Sequence, residues 1–300
     1  MRRYTIRMAA MALLAALLLS GTASASRLTD ISASWARADI EASLTDGVIN
    51  GYPDRTFRPD NPVTRAEFSR ILARAFHYEA SGKPNFPDIQ SHWAKKDISA
   101  LAEKGIIKGY PDGNFHPDAR INRAEMTTML TRALKLDNGF QSTQFGWWPT
   151  FTDVTESHWA YNSVEIASRL GILPPVFETT FKPDQATNRA ETAAMVRAAR
   201  DLTTLQGTLK LTDNQSTIMV APSIGQPLVL ELAPDASILR NSTRSQAANL
   251  VEGDQVYVVA SNSGSAQFVN ASGIVTQADV MSKVTDLSQG LVTKEQLAAL

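Results

Sequence analysis

Cysteine is absent from all 300 residues. That excludes disulfide staples, thiolate metal sites and a cysteine nucleophile. An excess of charge of one sign is missing too. The 29 basic and 30 acidic residues leave a formal net charge of −1, with no basic surplus for a nucleic acid or an anionic membrane surface. Histidine is scarce, and His77, His92, His116 and His158 lack the spacing of metal ligands. No G-x-S-x-G elbow, H-E-x-x-H pair or phosphate-binding loop occurs. The expectation is a non-enzymatic chain, with no catalytic residues, no metal and no other cofactor.

Apolar runs of membrane length are also lacking. Met8 to Leu19 spans twelve residues, short of the roughly 20 that cross a bilayer. It follows Arg2, Arg3 and Arg7 and precedes Ala23-Ser24-Ala25, which together read as a secretory signal over 1–25 with a mature start at Ser26. The residues flanking Arg2-Arg3 do not support twin-arginine export, so general secretion is preferred. Losing three arginines takes the mature charge from −1 to −4. The mature chain is expected to carry no lipid anchor or transmembrane segment of its own. To stay at a cell surface it has to hold something there.

What the chain does have is repetition. Trp35, Trp93 and Trp159 each stand twelve residues before Gly47, Gly105 and Gly171, and F-x-P-D follows ten residues later at Phe57, Phe115 and Phe181. Each copy reads as helix, loop, helix. Ala36, Ile40 and Leu44 share one face of the first helix, as do Ala94, Ile98 and Leu101, then Ala160, Val164 and Ala167. The glycine ends that helix in the C′ role. The second helix carries Phe68, Ile71, Leu72 and Ala75, or their counterparts Met126, Met129, Leu130 and Ala133, then Met195, Val196 and Ala199. One unit cannot bury its apolar face alone; three together can. Trp147-Trp148, in the linker 135–150, reads either as a sugar platform or as cover for a gap in the core.

The second helices begin with an oddity. Thr64/Glu67, Asn122/Glu125 and Asn188/Glu191 have capping-box spacing, yet Arg65, Arg123 and Arg189 take the first helical position. A helix start is already partly positive, so a cation there is mildly unfavourable.

These residues closely resemble the S-layer homology (SLH) domain family. The likeness covers about residues 28–200 and is fullest in "FPDIQSHWAKKDISALAEKGIIKGYPDGNFHPDARINRAEM" of the second copy. It implies a multidomain α + β chain: an α-helical three-repeat spindle around a central three-helix bundle, followed here by a small β-barrel. The repeats are placed at 26–76, 86–134 and 151–202. The resemblance further implies non-covalent anchoring to the bacterial cell wall or surface, by binding secondary cell-wall polysaccharide, often pyruvylated, in grooves between repeats. The alternatives are a tether to peptidoglycan-linked polymer in the periplasm of a diderm envelope, a wall-active enzyme, or a subunit of an S-layer lattice.

On that reading a ligand carboxylate would meet free helix-terminal N–H groups and the fork of Arg65, Arg123 or Arg189. Trp35, Trp93 and Trp159 would stack on sugar rings, and Asp30, Asp88 and Asp153 would accept hydroxyl hydrogen bonds. Against this stand structural readings. The tryptophans can be core, the aspartates can cap the first helix or its preceding turn, and the arginines can pair with Asp60, Asp118 and Asp184. The loop glycines Gly51 and Gly109 are counted among the carbohydrate-binding positions, as residues that can take positive φ. The third copy has Pro175-Val176-Phe177-Glu178 there instead, so the expectation is two competent sites, at Arg65 and Arg123, with Arg189 weakened.

After Leu202 only Tyr257 and Phe268 remain as aromatics. "GTLKLTD", "STIMVAP", "PLVLEL" and "DQVYVVA" alternate as short strands, "AQFVNASGIVT" reads as a last strand pair, and 278–300 as a helical tail. A five- or six-stranded barrel, loosely OB-like, is expected over 205–277. From Leu205 onward five basic residues face eight acids. With no basic groove and few stacking aromatics, nucleic acid is excluded as a partner, and a protein partner of the barrel is preferred.

Overall fold

Each second helix starts on its expected cap. In the computed structural model, which describes residues 28–79, 86–136, 149–212, 214, 216–277, 279–281, 284 and 285, α2 (Arg65–Ala75) is capped by Thr64 and α4 (Arg123–Ala133) by Asn122, both in complete capping boxes. α6 (Arg189–Arg200) is capped by Asn188, but without the return bond from Glu191. The first helices are α1 (Arg37–Thr45), α3 (Lys95–Glu103) and α5 (Tyr161–Arg169). Each passes through a capping residue to Gly47, Gly105 or Gly171 at positive φ, the left-handed stop that glycine allows at least cost. The signal segment, Trp147-Trp148 and most of the C-terminal tail lie outside the described residues.

The two kinds of helix bury themselves differently. α2, α4 and α6 are buried on nearly every side, as central helices must be. α1, α3 and α5 bury one stripe. Each first helix packs on the second helix of the preceding repeat: α3 on α2, α5 on α4, and α1 on α6, which closes the circle. Backbone hydrogen bonds close the same circle. Val63 N–H donates to Thr187, Thr187 to Ile121, and Ile121 to Val63. The three bonds join equivalent residues of the three repeats. Phe57, Phe115 and Phe181 are fully buried, each worth about 1.5–3 kcal/mol of apolar burial.

The barrel follows α6 directly. Its strands are β1 (Leu202–Leu211), β2 (Thr217–Ala221), β3 (Leu228–Arg240), the short β4 (Thr243–Arg244), β5 (Gln255–Ser261) and β6 (Ser265–Ser272). β2, β1, β5, β6 and β3 follow one another in the sheet, and β3 pairs again with β2, so five strands close a ring. All neighbours are antiparallel except β3 and β6. The expected last strand pair is one strand, β6, which ends at Ser272. β1 changes partner at Thr208, which faces both Ala221 and Gln255. A Cβ on the adjacent Gly207 would lie 2.3 Å from the Ala221 carbonyl oxygen, so only glycine permits this bend.

Leu209, Val220, Val258 and Val269 fill the ring. Leu202, Leu239, Val259 and Phe268 belong instead to the helical core, and the Tyr257 hydroxyl donates to the Leu134 carbonyl at 2.6 Å. The barrel is thereby seated on the bundle. A cleft of about 1260 Å³ remains between α5 and the barrel, bordered by Arg169, Gln246, Gln267 and Met281. Buried Arg240 makes two hydrogen bonds to Asp254, at 2.7 and 2.9 Å, and reaches Asp279 beyond the last strand.

Candidate functional site

The repeated arginines are buried, at 4, 7 and 8% exposure for Arg65, Arg123 and Arg189. Each crosses into the next repeat. Arg65 Nε donates to the Phe115 carbonyl at 2.9 Å, Arg123 Nη1 to that of Phe181 at 2.8 Å, and Arg189 Nε to that of Phe57 at 2.7 Å. Each guanidinium also lies 4.4 Å from the centre of an aromatic ring of that repeat: Phe115, Phe177 and Phe57. The first-turn amides do the same. Arg65 and Ala66 N–H bond to Ala119 and Pro117, Arg123 and Ala124 to Gln185 and Pro183, and Arg189 and Ala190 to Asn61 and Pro59. The helix starts therefore offer no ready set of free N–H groups to an anion. They are the joints between repeats, and an arginine there gains a second repeat to hold.

The aspartates are structural in the same way. Asp30 accepts from the amides of Phe57 and Arg58, Asp88 from Phe115 and His116, and Asp153 from Phe181 and Lys182, all at 2.7–3.1 Å. They fasten the loop where Arg58, His116 and Lys182 take positive φ, a conformation non-glycine residues seldom adopt unsupported. They do not cap the first helices. Asp60, Asp118 and Asp184 are not the arginines' partners either.

Gly51 and Gly109 are not at positive φ; they serve close approach instead. A Cβ on Gly109 would come within 2.6 Å of the Phe86 ring and 2.9 Å of the Asn114 carbonyl oxygen. At the third repeat's equivalent, Pro175 opens a short 3-10 turn, Pro175–Phe177. This loop lies against Arg123, because each arginine meets the next repeat's loop. Arg189 faces the Gly51-Tyr52 loop, with the Tyr52 ring centre 4.9 Å away. The expected pairing of the altered loop with Arg189 is therefore displaced by one repeat.

Trp35, Trp93 and Trp159 are 48, 50 and 61% exposed, so they are surface rather than core residues. Trp159 borders a groove of about 230 Å³, whose lining also includes Arg65, Lys108, Gly109, Tyr110, Glu125 and Arg132. All three repeats contribute to it. Arg65 Nη1 pairs with Glu125 Oε1 at 3.0 Å, and the Tyr110 hydroxyl donates to the same oxygen. Burial, then this hydrogen bond, push the Tyr110 phenol up to about 12, so it stays a donor at neutral pH. Trp93 stands at the corresponding place beside α2, with the Arg70 guanidinium 4.4 Å from its ring and paired to Asp97 at 3.2 Å. Sequence reasoning missed Lys108, Tyr110 and Arg132, although Tyr52 and Tyr110 recur at one repeat position.

The S-layer homology domain model matches residues 27–69, 85–127 and 150–193. A cell surface glycoprotein 1 of Acetivibrio thermocellus is 36% identical over 48% of this chain and 7% of its own length. A cellulosome-anchoring protein of the same organism is 37% identical over 43% of this chain and 29% of its own. The S-layer protein EA1 of Bacillus anthracis is 28% identical over 87% of this chain and 29% of its own. The chain thus spans less than a third of each of these relatives. The three matches fall on the three units that interlock at Arg65, Arg123 and Arg189: the chain carries three tandem S-layer homology domains.

Proposed function

We propose that this protein is a non-covalent anchor at the bacterial cell surface, binding an anionic wall polysaccharide, such as a pyruvylated one, in grooves between its repeats. The groove at Arg65 carries the reading. It combines a buried guanidinium, the cations Lys108 and Arg132, the Tyr110 phenol and an exposed Trp159 around one cavity of about 230 Å³. A carboxylate-bearing sugar suits that set, because Lys108, Arg132 and the Arg65 guanidinium, shared with Glu125, attract the anion while indole covers a sugar face. The names of the relatives, a cellulosome-anchoring protein and an S-layer protein, agree with it. The reading is binding, supported by the cations and aromatics that line the groove.

For the barrel we propose a contact with another protein. Its ring order, with β3 and β6 parallel, supports an OB-like reading. Exposed Ile224, Leu228 and Val229 near the β2–β3 turn suit an apolar partner better than a nucleic acid.

The test is sedimentation of the mature protein with purified walls before and after the wall polysaccharide is removed. Binding lost on removal is the expected result. Binding retained points to peptidoglycan itself, and hydrolysis of wall polymer by the chain would replace anchoring with catalysis.

A further inference from the structure

Resting on that reading, we infer that the three grooves are not equivalent: Arg189 marks the principal ligand site, and the groove at Arg123 is closed by the chain's own carboxylate, Glu191. Three equivalent glutamates stand opposite the three arginines in three different states. Glu67, on the Arg189 side, stays at its helix start, with Oε2 accepting from Thr64 N–H at 2.8 Å. Glu125 is divided, with Oε2 on Asn122 N–H at 3.1 Å and Oε1 on Arg65 and Tyr110. Glu191 gives both oxygens to Arg123, at 2.6 and 3.1 Å, and leaves its capping box incomplete.

The loop at Arg123 differs too. Tyr110 has its third-repeat counterpart in Val176, which has no hydroxyl to engage Glu191, and Phe177 covers the Arg123 face.

An anion entering at Arg123 has to displace a buried bidentate carboxylate and leave it without its cation. At Arg189 the situation is reversed. Its Nε and Nη2 are spent on the neutral carbonyls of Phe57 and Asn50, both at 2.7 Å. Among the described residues no carboxylate comes within ion-pairing distance of it. Burial holds its pKa below the ordinary arginine value, with Tyr52 and Glu67 as weaker opposing influences. An anionic ligand would supply the missing countercharge, with Tyr52 beside it and exposed Trp93 at the corresponding groove edge.

The experiment is a binding isotherm on purified walls that retain their polysaccharide, with each variant's fold checked by thermal melting. Arg189→Gln is expected to weaken binding about tenfold or more, the scale of a charge-assisted contact. The pair Arg123→Met with Glu191→Leu, which removes both charges together, is expected to bind like wild type. Should Arg189→Gln fail to fold, the exposed tryptophans decide. Trp93→Ala should weaken binding several-fold, and Trp35→Ala, on the Arg123 side, should not. Undiminished binding by folded Arg189→Gln, or a loss confined to the Arg123/Glu191 or Trp35 variants, would overturn the assignment. Failure of wild type to bind walls would instead refute the anchoring function itself.

Discussion

Arg123 and Arg189 stand eighteen residues after equivalent glycines, each at the first position of a central helix, and each donates to a phenylalanine carbonyl of the next repeat. One has a bidentate carboxylate and the other has none among the described residues. The next repeat's loop differs as well, presenting Val176 and Phe177 in one case and Tyr52 in the other. One residue type at one repeat position thus serves as a structural clamp or as an uncompensated cation, according to a neighbour more than forty residues away along the chain.

Breaking the clamp should have the largest effect. Arg123→Ala strands Glu191 in a buried site and is expected to cost about 3–5 kcal/mol in denaturant unfolding. Arg189→Ala removes hydrogen bonds to two carbonyls and should cost less, about 1–3 kcal/mol. Equal costs would erase the distinction between the two sites. Gly109→Ala comes next. It forces a Cβ against Phe86 and the Asn114 carbonyl, at about 1–3 kcal/mol, whereas Gly51→Ala meets the movable Leu28 side chain at 3.0 Å and the Thr56 carbonyl oxygen at 3.2 Å and should cost less.

Caps give a smaller effect. Thr64→Ala and Asn122→Ala should each lower stability by about 1 kcal/mol. Glu191→Ala should exceed Glu67→Ala, because Glu191 holds Arg123 and Glu67 holds only a helix start.

The smallest effect at neutral pH belongs to the barrel's own clamp. Burial pushes the Asp279 carboxyl up, but hydrogen bonds from Arg240 and Thr276 outweigh it and hold the group at about 2. A depressed carboxylate contributes its stability above its ordinary value of 3.8 and loses it as pH falls through the folded value. Proteolysis of the segment after Ser272 should therefore be constant from pH 8 to about 5 and rise between about 4 and 2.

Much of the fold was legible because its signals are local. Helix caps, glycine stops and the apolar positions repeat in register, and each acts within a turn or two of the chain. Short alternating strands likewise announced a small barrel. The site was legible by residue type and not by pairing. Arg65 and Trp159 were picked out, yet they lie in different repeats, and nothing in their spacing says that they share a groove with Tyr110. Asp30, Asp88 and Asp153 recur as regularly as the tryptophans. Periodicity alone cannot separate a residue held by backbone amides from one turned to solvent.

The order of the residues by itself determined three equal helical units, their caps and stops, and the change to β structure after Leu202, since each depends on near neighbours in the chain. Only the tertiary structure decided which loop meets which arginine. Closure of three units into a ring hands every contact on by one repeat, so the altered third loop acts on Arg123 and leaves Arg189 facing Tyr52.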